Sequence, residues 1–271
     1  MQEKFITVIG GGNMAQAIVF GLLNRDYPAD KIIVCDPSES KLALFTEKGV
    51  GISTDNVTAA TKAEVVLLAI KPQVMAEVCN ALSKVDFAAK LVISIAAGIP
   101  TARIAALLPS AKSIVRVMPN TPALVSAGMA GLFADSRVSA EDKAFAEILL
   151  NAMGKTCWME KEADMHAVTA GSGSSPAYFF LFMEAMQKAL LEMGLSTENA
   201  RLLIQQSALG AAKMVECNPQ LPLSVLRENV TSKGGTTAVA LAVFNQYELE
   251  RIVAEAMRAC VARSQEMEKL F

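Results

Sequence analysis

Three consecutive glycines, Gly10-Gly11-Gly12, lie between an apolar run and a helical pattern, and that junction restricts the possible folds more than any other stretch. Phe5-Ile6-Thr7-Val8-Ile9 has the composition of a strand. Beyond the glycines, Ala15, Ile18, Val19 and Leu22 fall on one face of a helix. The spacing Gly10-x-Gly12-x-x-Ala15 is that of a dinucleotide-binding turn with Ala at the third small position. Gly10 permits the tight turn, Gly12 lets a pyrophosphate approach the backbone, and Ala15 lets the helix pack close to the strand. The helix N-terminus, with Asn13 and Met14, then offers N–H groups and a partial positive charge to the phosphates. The strand before and the amphipathic helix after give the glycine pattern the context in which it binds a cofactor.

Strand and helix alternate through the first half, which predicts an α/β fold with a doubly wound, parallel Rossmann-type sheet. Strands are expected at 31–35, 51–53, 65–70, 91–95, 113–117, 130–133 and 156–159. Helices are expected at 38–48, 73–82, 101–108 and 140–153, with Ser38 as an N-cap. Val65–Ile70 is continuously apolar, as a strand buried on both faces should be. From about Glu160 strand signals vanish. Helices are expected at 175–193, closed by Gly194, and at 197–216, 223–229, 237–246 and 250–269. Residues 1–160 are read as a dinucleotide-binding domain and 161–271 as an all-helical domain. The small residues of Ser207–Ala212 suit close helix packing.

Apolar residues make up 52% of the 271, and mean hydropathy is +0.35. Such a surface implies a fully covered sheet or an apolar face buried in an oligomer. No apolar run approaches the ~18 residues of a membrane helix, and the N-terminal run reads as a strand, not a leader. A net charge of −2 without a basic tract argues against nucleic acid. Five scattered cysteines without C-x-x-C read as reduced thiols of a cytoplasmic protein. His166 is the single histidine, so no metal site is expected. It is read as a helix-surface or interface residue.

Ligands of a doubly wound sheet bind at the carboxyl ends of its strands. Asp36 stands at one such end, about 20 residues past the glycine turn, where a carboxylate accepts from a ribose 2′-OH and favours NAD. Asp36-Pro37 also reads as a plain turn, and Ser38 with Lys41 could hold a 2′-phosphate instead. Lys71-Pro72 and Ala96-Ala97-Gly98 end two further strands. Asn120-Thr121-Pro122 and Ser172-Gly173-Ser174-Ser175-Pro176 collect small polar groups, the second just before a helix N-terminus. In Val230-Thr231-Ser232-Lys233-Gly234-Gly235-Thr236-Thr237, two glycines can aim successive N–H groups at one anion, beside several hydroxyls.

Taken together these stretches resemble the Δ1-pyrroline-5-carboxylate reductase family. The matching blocks are Ile9–Ala15, Ala69-Ile70-Lys71-Pro72, Ser94–Gly98, Val117–Pro122, Gly171–Tyr178 and Val230–Thr237, which span almost the whole chain. The last two are the most specific. The resemblance implies a Rossmann domain followed by a helical domain that dimerises, with dimers of the family often assembling into decamers. It implies NAD(P)H-dependent reduction of 1-pyrroline-5-carboxylate at its C=N bond, giving L-proline in the last step of proline biosynthesis. By that resemblance Ser232, Lys233, Gly234, Gly235 and Thr236 bind the substrate carboxylate, and Thr237 hydrogen-bonds the ring nitrogen. Asn56, Ala69, Lys71, Pro72 and Ala97 join the glycine turn in the cofactor site. Relatives often carry a neutral or amide side chain at the position of Asp36 and usually use NADPH. NADPH is therefore expected, with NADH as a second cofactor.

Two other readings compete. A β-hydroxyacid dehydrogenase would need a basic residue early in the first long helix of its second domain, and Gly171–Met183 has neither lysine nor histidine. A non-catalytic cofactor sensor would not need the hydroxyl-rich second loop.

Overall fold

The apolar runs of the first half become one eight-stranded sheet, ordered β3-β2-β1-β4-β5-β6-β7-β8. A computed structural model describes residues 3–270. The chain passes through β1 (Ile6–Ile9), α1 (Asn13–Leu23), β2 (Ile32–Cys35), α2 (Glu39–Thr46), β3 (Gly51–Ser53), α3 (Asn56–Lys62), β4 (Val65–Leu68) and α4 (Met75–Leu82). It continues with β5 (Leu91–Ser94), α5 (Thr101–Leu107), β6 (Ser113–Met118), β7 (Gly128–Ala134), α6 (Ala140–Asn151) and β8 (Gly154–Trp158). A short α7 (Met165–Val168) and a π-helical turn, Thr169–Gly173, follow.

Side chains of β4 alternate between two cores. Val65 and Leu67 join Val8, Ile18, Leu22 and Val117 on one face. Val66 and Leu68 join Ile9, Met75, Leu82 and Ile104 on the other. A strand buried on both faces carries apolar residues at every position, which is why the run is continuous. β1 to β6 are parallel. β7 departs from the all-parallel expectation and runs antiparallel to β6, with Val117 opposite Leu132. Between them lies only a tight 3-10 turn, Thr121–Val125. A parallel return needs a longer crossover, usually a helix. α6 supplies one, so β8 is parallel to β7.

Two compact units result. One runs to Pro176 and takes up the chain again from Cys260; the other is Ala177–Ala259. The helices of the second half are α8 (Ser175–Glu192), α9 (Thr197–Cys217), α10 (Leu223–Asn229), α11 (Thr236–Gln246) and α12 (Leu249–Leu270). Gly194, at φ +94°, ends the chain's run through α8. The Ser196 side chain caps α9 by accepting from the Asn199 N–H at 3.2 Å. Within Ala177–Ala259 only Ala200 and Ile204 are buried among the described residues, while Phe179, Phe180 and Leu181 are 60–67% exposed. The Ser207–Ala212 seam is also unpacked: a Cβ on Gly210 would meet nothing within 4 Å. Among the described residues no helix is long and apolar enough to cross a membrane.

Candidate active site

Parallel register aligns Ile9, Leu68, Ser94 and Arg116 across four neighbouring strands. The loops that leave those strands therefore start side by side. β1 is flanked by β2 and β4, so the connections after β1 and β4 part to opposite sides and open a crevice between them. A cleft of about 330 Å³ lies there. Gly12, Asn13 and Met14 line it from the glycine turn, Ala69, Lys71 and Pro72 from the loop after β4, and Ala97 from the loop after β5. Gly10 and Ala15 are buried behind this wall. Gly10 has φ +105°, and a Cβ there would fall 2.3 Å from the Ala69 carbonyl oxygen, so only glycine fits. A Cβ on Gly12 would meet nothing within 4 Å. The backbone is open where a pyrophosphate would approach, and no side chain caps the first turn of α1. These residues fit a dinucleotide.

Ile70, Ile95, Ala96, Met118 and Pro119 also line the cleft. Ile70 and Ala96 lie in loops expected at the ligand end of the sheet, whereas Ile95, Met118 and Pro119 were not expected in this wall. The available signal was their position at strand ends. Asn120 ties the next stretch down: it is buried, donates to the Ser172 carbonyl at 3.2 Å and accepts from the Met129 N–H at 2.9 Å. The two small-residue stretches of the first unit are thereby joined. Asn56 opens α3 and does not line the cleft; its neighbour Asp55 caps that helix. A larger surface hollow of about 610 Å³, beside α2 and β3, includes Glu39 and Glu47 but none of the expected site residues.

Asp36 is buried, with its carboxylate turned inward. Oδ2 accepts from the Gly11 N–H at 2.8 Å and from the Lys41 ammonium at 3.2 Å. Oδ1 accepts from the Ser38 N–H at 2.9 Å and from the same ammonium at 3.3 Å. A carboxylate has about four acceptor sites, and these contacts occupy them. Burial pushes the Asp36 carboxyl upward, but the N–H groups of Gly11 and Ser38 and the Lys41 ammonium outweigh it and hold the group below the usual carboxylate range. Ser38 takes the N-cap position of α2, yet its side chain does not cap; its hydroxyl lies 3.0 Å from that of Ser40.

The Ser232–Thr237 loop belongs to the helical unit. The Gly235 N–H donates to the Ser232 carbonyl at 3.0 Å, closing a turn whose third residue, Gly234, has φ +72°. Gly235 caps α11 without a side chain, so the first N–H groups of that helix, at Thr236 and Thr237, have no intrahelical acceptor. Ser232, Lys233, Gly234, Thr236 and Thr237 are exposed, as are most residues of the helical unit.

His166 is not on a helix surface. It is 8% exposed, between Ser264 and Glu268 of α12. Burial pushes the Cys35 thiol up to about 12 and the Cys79 thiol up to about 11, which leaves both as inert packing groups. Among the described residues no group of three or more His, Cys, Asp or Glu side chains could hold a metal ion.

Residues 162–267 match the family described as pyrroline-5-carboxylate reductase dimerisation. Residues 5–98 match that described as NADP oxidoreductase coenzyme F420-dependent. The chain is 64% identical over 271 residues to a pyrroline-5-carboxylate reductase of Haemophilus influenzae, and 62% over 275 residues to one of Pasteurella multocida; each alignment covers both chains in full. A solved structure of a pyrroline-5-carboxylate reductase from Coxiella burnetii superposes with a TM-score of 0.92 at 42% identity, covering 98% of this chain and 99% of that one. A pyrroline carboxylate reductase of Plasmodium falciparum, solved with NADP bound, superposes with a TM-score of 0.87 at 29% identity, covering 99% of each chain. With identity of this level over its full length, the chain belongs to the pyrroline-5-carboxylate reductase family.

Proposed function

We propose that the protein reduces 1-pyrroline-5-carboxylate to L-proline with NADPH, the last step of proline biosynthesis. The observation that carries the reading is the switch-point cleft, whose open backbone at Gly12 leaves room for a dinucleotide pyrophosphate. When bound, the nicotinamide supplies a hydride to the C=N carbon. The chain's own residues bind and orient. Gly12, Asn13 and Met14 take the phosphates, while Ala69, Lys71, Pro72 and Ala97 wall the cofactor. The carboxylate of the substrate is held by N–H and hydroxyl donors of Ser232–Thr236, beside the Lys233 ammonium. Thr237 holds the ring nitrogen by one hydrogen bond. A protonated imine is already electrophilic, so positioning supplies most of the catalysis and no histidine relay is needed.

Asp36 bears on the choice of cofactor. Its acceptor sites are taken within the chain, which leaves the Ser38 and Ser40 hydroxyls and the remaining N–H of the half-exposed Lys41 ammonium to meet an adenosine 2′-phosphate. NADPH is therefore the preferred cofactor and NADH the poorer one. We further propose residues 1–160 as the cofactor domain and 161–271 as the substrate-binding and dimerising one. The protein works in the cytoplasm as a homodimer, and a decamer is the larger assembly to test for. Purified protein incubated with the imino acid and either cofactor tests the reading. Proline should accumulate as NADPH is consumed, faster than with NADH at equal concentration.

A further inference from the structure

One loop of the cofactor cleft is seated on the end of the chain. Ala96 and Ala97 line the cleft, and Gly98, at φ +73°, closes their turn. A Cβ on Gly98 would lie 3.2 Å from Met267 Cβ and 3.6 Å from the Glu268 backbone nitrogen, both in the last turns of α12. The left-handed backbone there favours glycine, and any Cβ would press on that helix end.

Polar groups from two other elements hold this helix end, and a third segment braces one of them. Arg116 of β6 is 4% exposed, with Nη1 3.1 Å from Glu162 Oε1 and 3.6 Å from Glu268 Oε2. Glu162 accepts from the Thr101 N–H at 2.7 Å and the Thr101 hydroxyl at 2.9 Å, where the same loop enters α5. His166 of α7 places Nε2 3.1 Å from Glu268 Oε2 and Nδ1 2.9 Å from the Ser264 hydroxyl. Oε2 of Glu268 is thus buried between Arg116 and His166, close to a nitrogen of each but without a well-aligned hydrogen bond from either. Arg116 is the common strut: through Glu162 it fixes the Thr101 end of the loop, and through Glu268 the turn beneath Gly98.

We propose that Glu268, held by Arg116 and His166, is a positioning residue for the cofactor. Its turn of α12 sets the Ala96–Gly98 loop against the nicotinamide cofactor. The inference rests on the reading of the cleft as the cofactor site. NADPH titration of the full-length oligomer, followed by nicotinamide fluorescence, tests it in three variants. Glu268→Ala should raise the Kd for NADPH about tenfold, a size usual for coupling through packed contacts. Gly98→Ala should do the same by pushing on Met267, and Glu268→Gln, which keeps shape without charge, should give about a third of the effect. The KM for the imino acid and kcat at saturating NADPH should stay within about twofold. Gly12→Val fills the cleft directly and should abolish NADPH binding. If it does, and Glu268→Ala and Gly98→Ala keep the wild-type Kd while only melting earlier, positioning is overturned and the cleft stands. Gly12→Val binding like the wild type overturns the cleft reading, and this inference with it. Should Glu268→Ala not fold, Glu268→Gln and Gly98→Ala decide.

Discussion

Asp36 distributes four contacts over two oxygens, and that arrangement decides what the end of β2 can recognise. Asp36→Asn should leave NADPH preferred and cost about 1–3 kcal/mol of stability, because donors lose their charged acceptor. The pH dependence has a fixed sign. The folded state holds the Asp36 carboxyl below its ordinary value of 3.8, so the ionised form stabilises the fold above that pH. The stability gap between wild type and Asp36→Asn, measured by thermal melting, should be full at neutral pH and shrink as pH falls below that value. Lys41→Ala should erode the ratio of specificity constants, NADPH over NADH; a strong NADH preference that Asp36→Asn reverses would contradict this account. Thr237→Ala should lower kcat/KM by about 1–3 kcal/mol of transition-state stabilisation with cofactor affinity intact. Normal turnover in the folded variant would remove Thr237 from the ring nitrogen. At this scale the sequence was readable where the backbone itself imposed the residue, as at Gly10. Arg116, Glu162 and Glu268 were not readable, because the contacts that give them meaning join distant segments.

Elements buried on both faces announced themselves. β4 is an uninterrupted apolar run and β5 is one up to Ser94, because helices cover each side, and the structure places both within a residue or two of expectation. α3 was missed: Asn56–Lys62 has two threonines and buries only Ala59 and Ala60, so its helical period is faint. The direction of β7 was invisible for a different reason, since it depends on what the preceding link can span. α7 and its π-helical turn are too short for any period to show, though π turns often mark functional stretches. The helices of the second half were legible almost to the residue, because serine, proline and glycine punctuate them. Ser196→Ala removes one such signal, the cap of α9, and should cost about 1 kcal/mol, read as a lower urea midpoint.

The whole molecule has an imbalance that no single chain resolves. The sheet unit encloses two cores, yet the helical unit buries only Ala200 and Ile204 among its described residues and exposes Phe179, Phe180 and Leu181. Apolar area on that scale is stable only when covered, and residues 162–267 match a dimerisation family. Light scattering at low protein concentration should show a dimer or larger, and Phe180→Asp should weaken association and stability together; a stable, active monomer would contradict the claim. The central claim concerns the reaction itself. Its most direct measurement is the amount of proline formed per NADPH oxidised when the purified protein meets 1-pyrroline-5-carboxylate. The account predicts one proline for each NADPH. NADPH bound in the cleft with no proline formed would contradict it.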